Sequence, residues 1–135
     1  RKESSAASDV YKRQLEKALG ASVGLSVVEY TVLDALSRQD GWHMRMQQLA
    51  RATALSPSAT TRLVTRLEDR GLLTRILCAD DRRGIYTELT AAGQALYEQA
   101  HPIHDETLER ALGEAVAQPE LAPVVHALQA VAVDA

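Results

Sequence analysis

If Pro57 opens a helix, Ser58, Thr61, Arg62, Thr65 and Arg66 fall on one side of it, and no carboxylate joins them before Glu68 and Asp69. Short hydroxyls and guanidinium groups on one helix face are the donors and acceptors that can meet the edges of base pairs in a major groove. Arg62 can donate two hydrogen bonds to a guanine, Thr61 can meet a thymine methyl or a phosphate, and Arg66 reaches a base or the backbone one turn later. Ser56 and Ser58 sit at the start of that helix, where unpaired N–H groups and the helix dipole attract phosphate. Further on, Arg82 and Arg83 stand in a short polar stretch. The negative potential of a narrow minor groove draws in such a side chain, and Asp81 is near enough in sequence to hold it in one orientation.

Other chemistry is poorly supplied. The chain has no Gly-rich phosphate loop, no GxSxG and no HExxH, and none of its four histidines stands near a plausible nucleophile. His101 and His104, with Asp105 and either His43 or His126, make a candidate zinc set. Pro102 disturbs their helix and no further ligand completes the set, so neither a metal nor a cofactor is expected. The single cysteine, Cys78, reads as a small apolar residue in a strand rather than a redox sensor. It cannot form an internal disulfide, which suits a reducing cytoplasm.

The elements that must position these residues follow from periodicity and capping. Leu15–Leu19 reads as the end of a helix stopped near Gly20. Ser26 and Glu29 have capping-box spacing ahead of Val28, Val32, Leu33 and Leu36, which predicts a helix to about Arg38. Gln39-Asp40-Gly41 is a turn and Trp42–Arg45 a short strand. Met46–Thr53 is a short helix with Leu49 and Ala50 inward. Ser56 caps the next helix, Pro57 takes its first position, and Gly71 ends it after Arg70. Its inward stripe is Ala59, Leu63, Val64 and Leu67. Leu72–Cys78 and Ile85–Leu89 form a hairpin around a polar tip. Thr90 caps a helix that Pro102 kinks, and Pro119 starts a last helix with an apolar stripe. The fold class is therefore mostly α with a small β-wing: a winged helix-turn-helix over 26–89, flanked by dimerisation helices at 15–20 and 90–135.

Charge is distributed to match. Residues 43–85 hold eight arginines against four acids, whereas residues 86–135 hold one arginine against eight acids. Phosphate affinity is thereby confined to the middle of a chain whose net charge is −3. The length of 135 residues suits one domain, and no stretch has the length of a membrane span. Residues 4–14, SSAASDVYKRQ, match one reading frame of a widely used sequencing-library adapter. Residues 1–14 are accordingly read as a non-native or disordered leader, with the native sequence starting near Leu15 and its own N-terminus missing.

A helix with Thr and Arg outward is ordinarily a solvated helix, and a DDRRG loop is ordinarily a hairpin turn. Their occurrence in order, behind a short first helix, points to double-stranded DNA. The stretch LARATALSPSATTRLVTRLEDRGLLTR, the DDRRG loop and LTAAGQAL together resemble the MarR family of winged-helix bacterial regulators, most strongly from 46 to 97. The resemblance implies that Arg83 enters the minor groove, that Asp81 orients it, and that Thr61, Arg62 and Arg66 make recognition-helix contacts. It implies a homodimer on a pseudo-palindrome with half-sites about 10 bp apart, acting as a repressor. It also implies a small-molecule effector between the dimerisation helices and the winged domain. Tyr30, Trp42, His43 and Tyr97 are the candidate pocket residues, although core or interface is the simpler reading of them. The family's longer first helix is mostly absent or replaced here, which predicts a weakened, concentration-dependent dimer. The alternative is a winged-helix protein-interaction module that does not bind DNA.

Overall fold

The computed structural model describes residues 2–77 and 84–116. Cys78, Asp81, Arg82, Arg83, His126 and the helix expected from Pro119 lie outside the described residues. The described residues fall into two compact units, 2–24 with 101–116 and 25–100.

In the first unit, α1 runs Lys2–Val23. Residues 2–14, read from the sequence as a non-native or disordered leader, are helical, and Gly20 does not end the helix. The segment contains no proline, and its alanines, leucines and lysines favour helix, so a single interior glycine costs only about 1 kcal/mol. Leu15 and Leu19, one turn apart, are fully buried and anchor the turn that leads into Gly20. The chain turns instead at Gly24, whose φ of +67° is strained for any residue with a Cβ. The later part of α5 (Ala91–Val116) belongs to this unit and buries Thr107 and Ala111. Pro102 lies inside α5 without ending it.

The second unit holds α2 (Val27–Ser37), a 3-10 turn (Asp40–Trp42), β1 (His43–Arg45), α3 (Met46–Thr53), α4 (Pro57–Asp69), β2 (Leu73–Leu77), β3 (Ile85–Leu89) and the first turns of α5. The strands form an antiparallel sheet in the order β1-β3-β2, with His43 opposite Glu88 and Leu73 opposite Leu89. The result is a helix-turn-helix followed by a small three-stranded wing.

Local chemistry explains most boundaries. Ser26 and Glu29 form the capping box ahead of α2. Val28, expected inward, is exposed, and Tyr30 is buried in its place beside Val32, Leu33 and Leu36. Glu29 is buried too, because its second carboxylate oxygen accepts a hydrogen bond from Arg70 at 3.2 Å. At the start of α5, the Thr90 hydroxyl donates to the Gly71 carbonyl at 2.6 Å and accepts from the Gly93 N–H at 3.0 Å. A Cβ on Gly93 would stand 1.9 Å from the Leu72 carbonyl oxygen, so only glycine lets α5 approach the chain there. This contact gives the LTAAG stretch its physical meaning.

Candidate nucleic-acid interface

The two helices of the helix-turn-helix, α3 and α4, are set by their ends. The Arg45 and Gln48 positions pair at the start of α3, where the Arg45 N–H donates to the Gln48 side-chain oxygen at 3.3 Å. Leu49 and Ala50 bury the inner side of α3. Ala54 ends it in the left-handed region at φ +56°, which bends the chain sharply into α4. Ser56 caps α4 by accepting from the Ala59 N–H at 3.1 Å, and Pro57 follows it.

On α4, Leu63, Val64 and Leu67 are buried as the stripe requires. Ala59 is only half-buried, and Thr60 takes the inward place assigned to it. Thr60 tolerates burial because its hydroxyl donates to the Ser56 carbonyl at 2.9 Å, so no polar group is orphaned. The opposite face carries Ser56, Ser58, Thr61, Arg62, Thr65 and Arg66, all exposed. Among the described residues neither the Arg62 nor the Arg66 side chain has an ion-pair or hydrogen-bond partner. The hydroxyls of Thr61 and Thr65 each donate to the carbonyl one turn back, Pro57 and Thr61, at 2.9 Å.

Two arginines of this face had no role in the sequence reading. Arg51, exposed on α3, lines a cavity of about 490 Å³ with Met46, Ala50, Leu55, Pro57 and Thr61. Arg75 on β2 reaches over α4 to Thr61, Thr65 and Glu68. The signal for Arg75 was available: in β2 it alternates with Leu73, so a charge stands on the side of the strand that faces the core.

The candidate pocket residues do not share one environment. Tyr30 and Tyr97 stack at 5.6 Å between ring centroids, with planes 23° apart. The Tyr97 hydroxyl donates to Asp34 at 2.6 Å, and Asp34 also pairs with Arg38 at 3.1 Å. Burial, and then the hydrogen bond to Asp34, push the Tyr97 phenol above its ordinary range. His43 instead meets Tyr86 edge-on at 5.5 Å and lines a separate cavity of about 330 Å³ with Ile76, Tyr86 and Glu88. Trp42 stands in the 3-10 turn with φ +60°.

His101 and His104 both contact Asp105, at 3.2 Å each. Among the described residues no group of three His, Cys, Asp or Glu side chains is arranged to hold a metal ion. Among the same residues no single helix is long and apolar enough to cross a membrane.

A family model described as MarR family matches residues 23–84. The chain is also 32% identical to AbsC, a MarR family transcriptional regulator from Streptomyces coelicolor, and superposes on its crystal structure with a TM-score of 0.80 over 96% of this chain and 86% of that one. The chain belongs to the MarR family. Within the curated relatives, it is 30% identical over 94 residues to the HTH-type transcriptional repressor Rv2887 of Mycobacterium tuberculosis, which is 70% of this chain and 66% of that protein. It is 36% identical over 70 residues to the HTH-type transcriptional regulator FarR of Neisseria gonorrhoeae, which is 50% of this chain and 48% of FarR. The matched region thus spans from about half to just under two thirds of these two relatives.

Proposed function

We propose that the chain is a sequence-specific, double-stranded-DNA-binding transcriptional repressor that acts as a homodimer on a pseudo-palindromic operator. The observation that carries this reading is the outward face of α4, where Ser58, Thr61, Arg62, Thr65 and Arg66 are exposed together above a leucine-rich inner side. Two guanidinium groups without a partner among the described residues are available for base edges or phosphates. Ser56 and Ser58 take phosphate at the helix start. Arg82 and Arg83 take the minor groove, with Asp81 orienting Arg83. Membership in a family of transcriptional regulators supports regulation, and similarity to a mycobacterial transcriptional repressor supports repression.

The same reading places the protein in the cytoplasm and assigns it no reaction. A small-molecule effector would act by favouring one spacing of the two recognition helices, which changes DNA affinity through linkage. Of the candidate pocket residues, Tyr30 and Tyr97 stand together, stacked on one another.

The test is selection of bound duplexes from a random pool at one stated moderate salt concentration. A pseudo-palindrome with half-sites about 10 bp apart is expected. Arg83→Ala should then weaken binding to every duplex, selected or not. Recovery of no common sequence, with Arg83→Ala indistinguishable from the parent, would leave the protein-interaction module as the better reading.

A further inference from the structure

Arg75 constrains what Thr65 can offer to a ligand. Its Nη2 donates to the Thr61 carbonyl at 3.3 Å and to the Thr65 hydroxyl oxygen. Its Nη1 stands 3.8 Å from Glu68 Oε1, and its backbone N–H donates to Glu68 Oε2 at 3.2 Å. The Thr65 hydroxyl has only one proton, and that proton goes to the Thr61 carbonyl. One of its lone pairs is occupied by the Arg75 cation. The proton of Thr65 and one of its two lone pairs are therefore committed to its own helix and to Arg75, so the exposed side chain has its Cγ2 methyl and a single lone pair left to present. Thr61 differs. Its hydroxyl also donates to a carbonyl, but among the described residues no donor is directed at its oxygen, so it keeps acceptor capacity. Glu68, meanwhile, is held by Arg75 at the side of α4, which offsets the one carboxylate nearest the reading face.

We infer that Thr65 reads DNA through its methyl group, against the 5-methyl of a thymine, and that Arg75 is the positioning residue that sets this orientation. This rests on the DNA-binding reading above and assigns a base preference to one of its residues. Thymine differs from cytosine and from uracil by presenting that methyl in the major groove.

The experiment uses the full chain and the operator recovered by selection, with each thymine replaced singly by deoxyuridine. Burying one methyl corresponds to about a fourfold loss of affinity, expected at one position per half-site. Thr65→Val removes the hydroxyl and keeps a methyl, so it should retain affinity and the uracil penalty. Thr65→Ser keeps the hydroxyl and removes the methyl, so it should abolish the penalty. Arg75→Met should reduce the penalty when Thr65 is present and leave it unchanged in the Thr65→Val background, a coupling that general destabilisation would not produce. A loss of about tenfold or more in Thr65→Val, with the penalty intact in Thr65→Ser, would overturn the inference and assign the reading to the hydroxyl. So would a parent protein indifferent to uracil at every position. Failure to select any duplex would remove the DNA-binding reading itself, and this inference with it.

Discussion

Arg66 and Arg70 stand one turn apart at the end of α4, and their surroundings divide the winged-helix unit. The Arg66 side chain is exposed and has no partner among the described residues, and the same holds for that of Arg62. Arg70 donates to Glu29, a carboxylate that is only 5% exposed and that also caps the start of α2. The same contrast holds for hydroxyls. That of Thr61 keeps acceptor capacity on an open face, whereas the Tyr97 hydroxyl is closed onto Asp34 behind a stacked Tyr30. Charge that is neutralised inside the fold contributes to stability, and charge left open is available to a ligand. The comparison separates two kinds of residue that composition alone treats alike.

Substitutions on the two sides should therefore fail differently. The largest effect is expected from Gly93→Ala. Its new Cβ would meet backbone and not a movable side chain, so a loss of about 3 kcal/mol or more in denaturant unfolding is predicted, with the sequence preference of the residual folded protein intact. Glu29→Ala removes the partner of Arg70 and of the Ser26 N–H together. About 2 kcal/mol of stability should go, less than for a fully buried pair because Arg70 is itself partly exposed. On the open side, Arg62→Ala should cost about 1–3 kcal/mol of discrimination at one base position, with unfolding stability changed by less than about 0.5 kcal/mol. An Arg62→Ala protein that melts early but reads the same operator would erase the proposed division.

The smallest effect concerns pH. The Tyr97 phenol is raised above 10.0 in the folded chain, so between that value and its higher folded value the unfolded state releases a proton that the folded state retains. The stability from this site is complete below pH 10.0 and declines as pH rises through the folded pKa. Tyr97→Phe should cost about 1 kcal/mol near neutrality and flatten the alkaline part of the stability curve. Tyr11, raised mainly by burial and also by Asp105, should account for the slope that remains. An alkaline limb identical in parent and Tyr97→Phe would detach Tyr97 from the closed network.

Much of the reader was legible because its signals are local. Ser56, Pro57 and Gly71 mark the ends of α4 by rules that involve only neighbouring backbone, and the spacing of Leu63, Val64 and Leu67 leaves Ser58, Thr61, Arg62, Thr65 and Arg66 outside. The helix over Met46–Thr53 and the strand over Ile85–Leu89 have the bounds that the sequence pattern predicts. The expectations that failed concerned balances between local and distant forces. Gly20 resembles a helix stop, but a single interior glycine costs only about 1 kcal/mol and the chain turns four residues later, at Gly24 with its positive φ. Val28 fits the apolar period of α2, but the core takes Glu29 and Tyr30 because Arg70 and Tyr97 arrive from elsewhere in the chain to meet them.

Residue types and their order thus determined the family, the winged helix-turn-helix and the outward face of α4, since periodicity, capping and turn chemistry act over a few residues. Which arginines stay open was decided by the tertiary structure. Arg70 meets Glu29 across 41 residues and Arg75 meets Thr65 across 10, and no period in the sequence encodes such partnerships. They exist because β2 packs against α4 and the C-terminal end of α4 meets Glu29 of α2, which brings the charges within hydrogen-bond reach, and only there does a guanidinium become a strut.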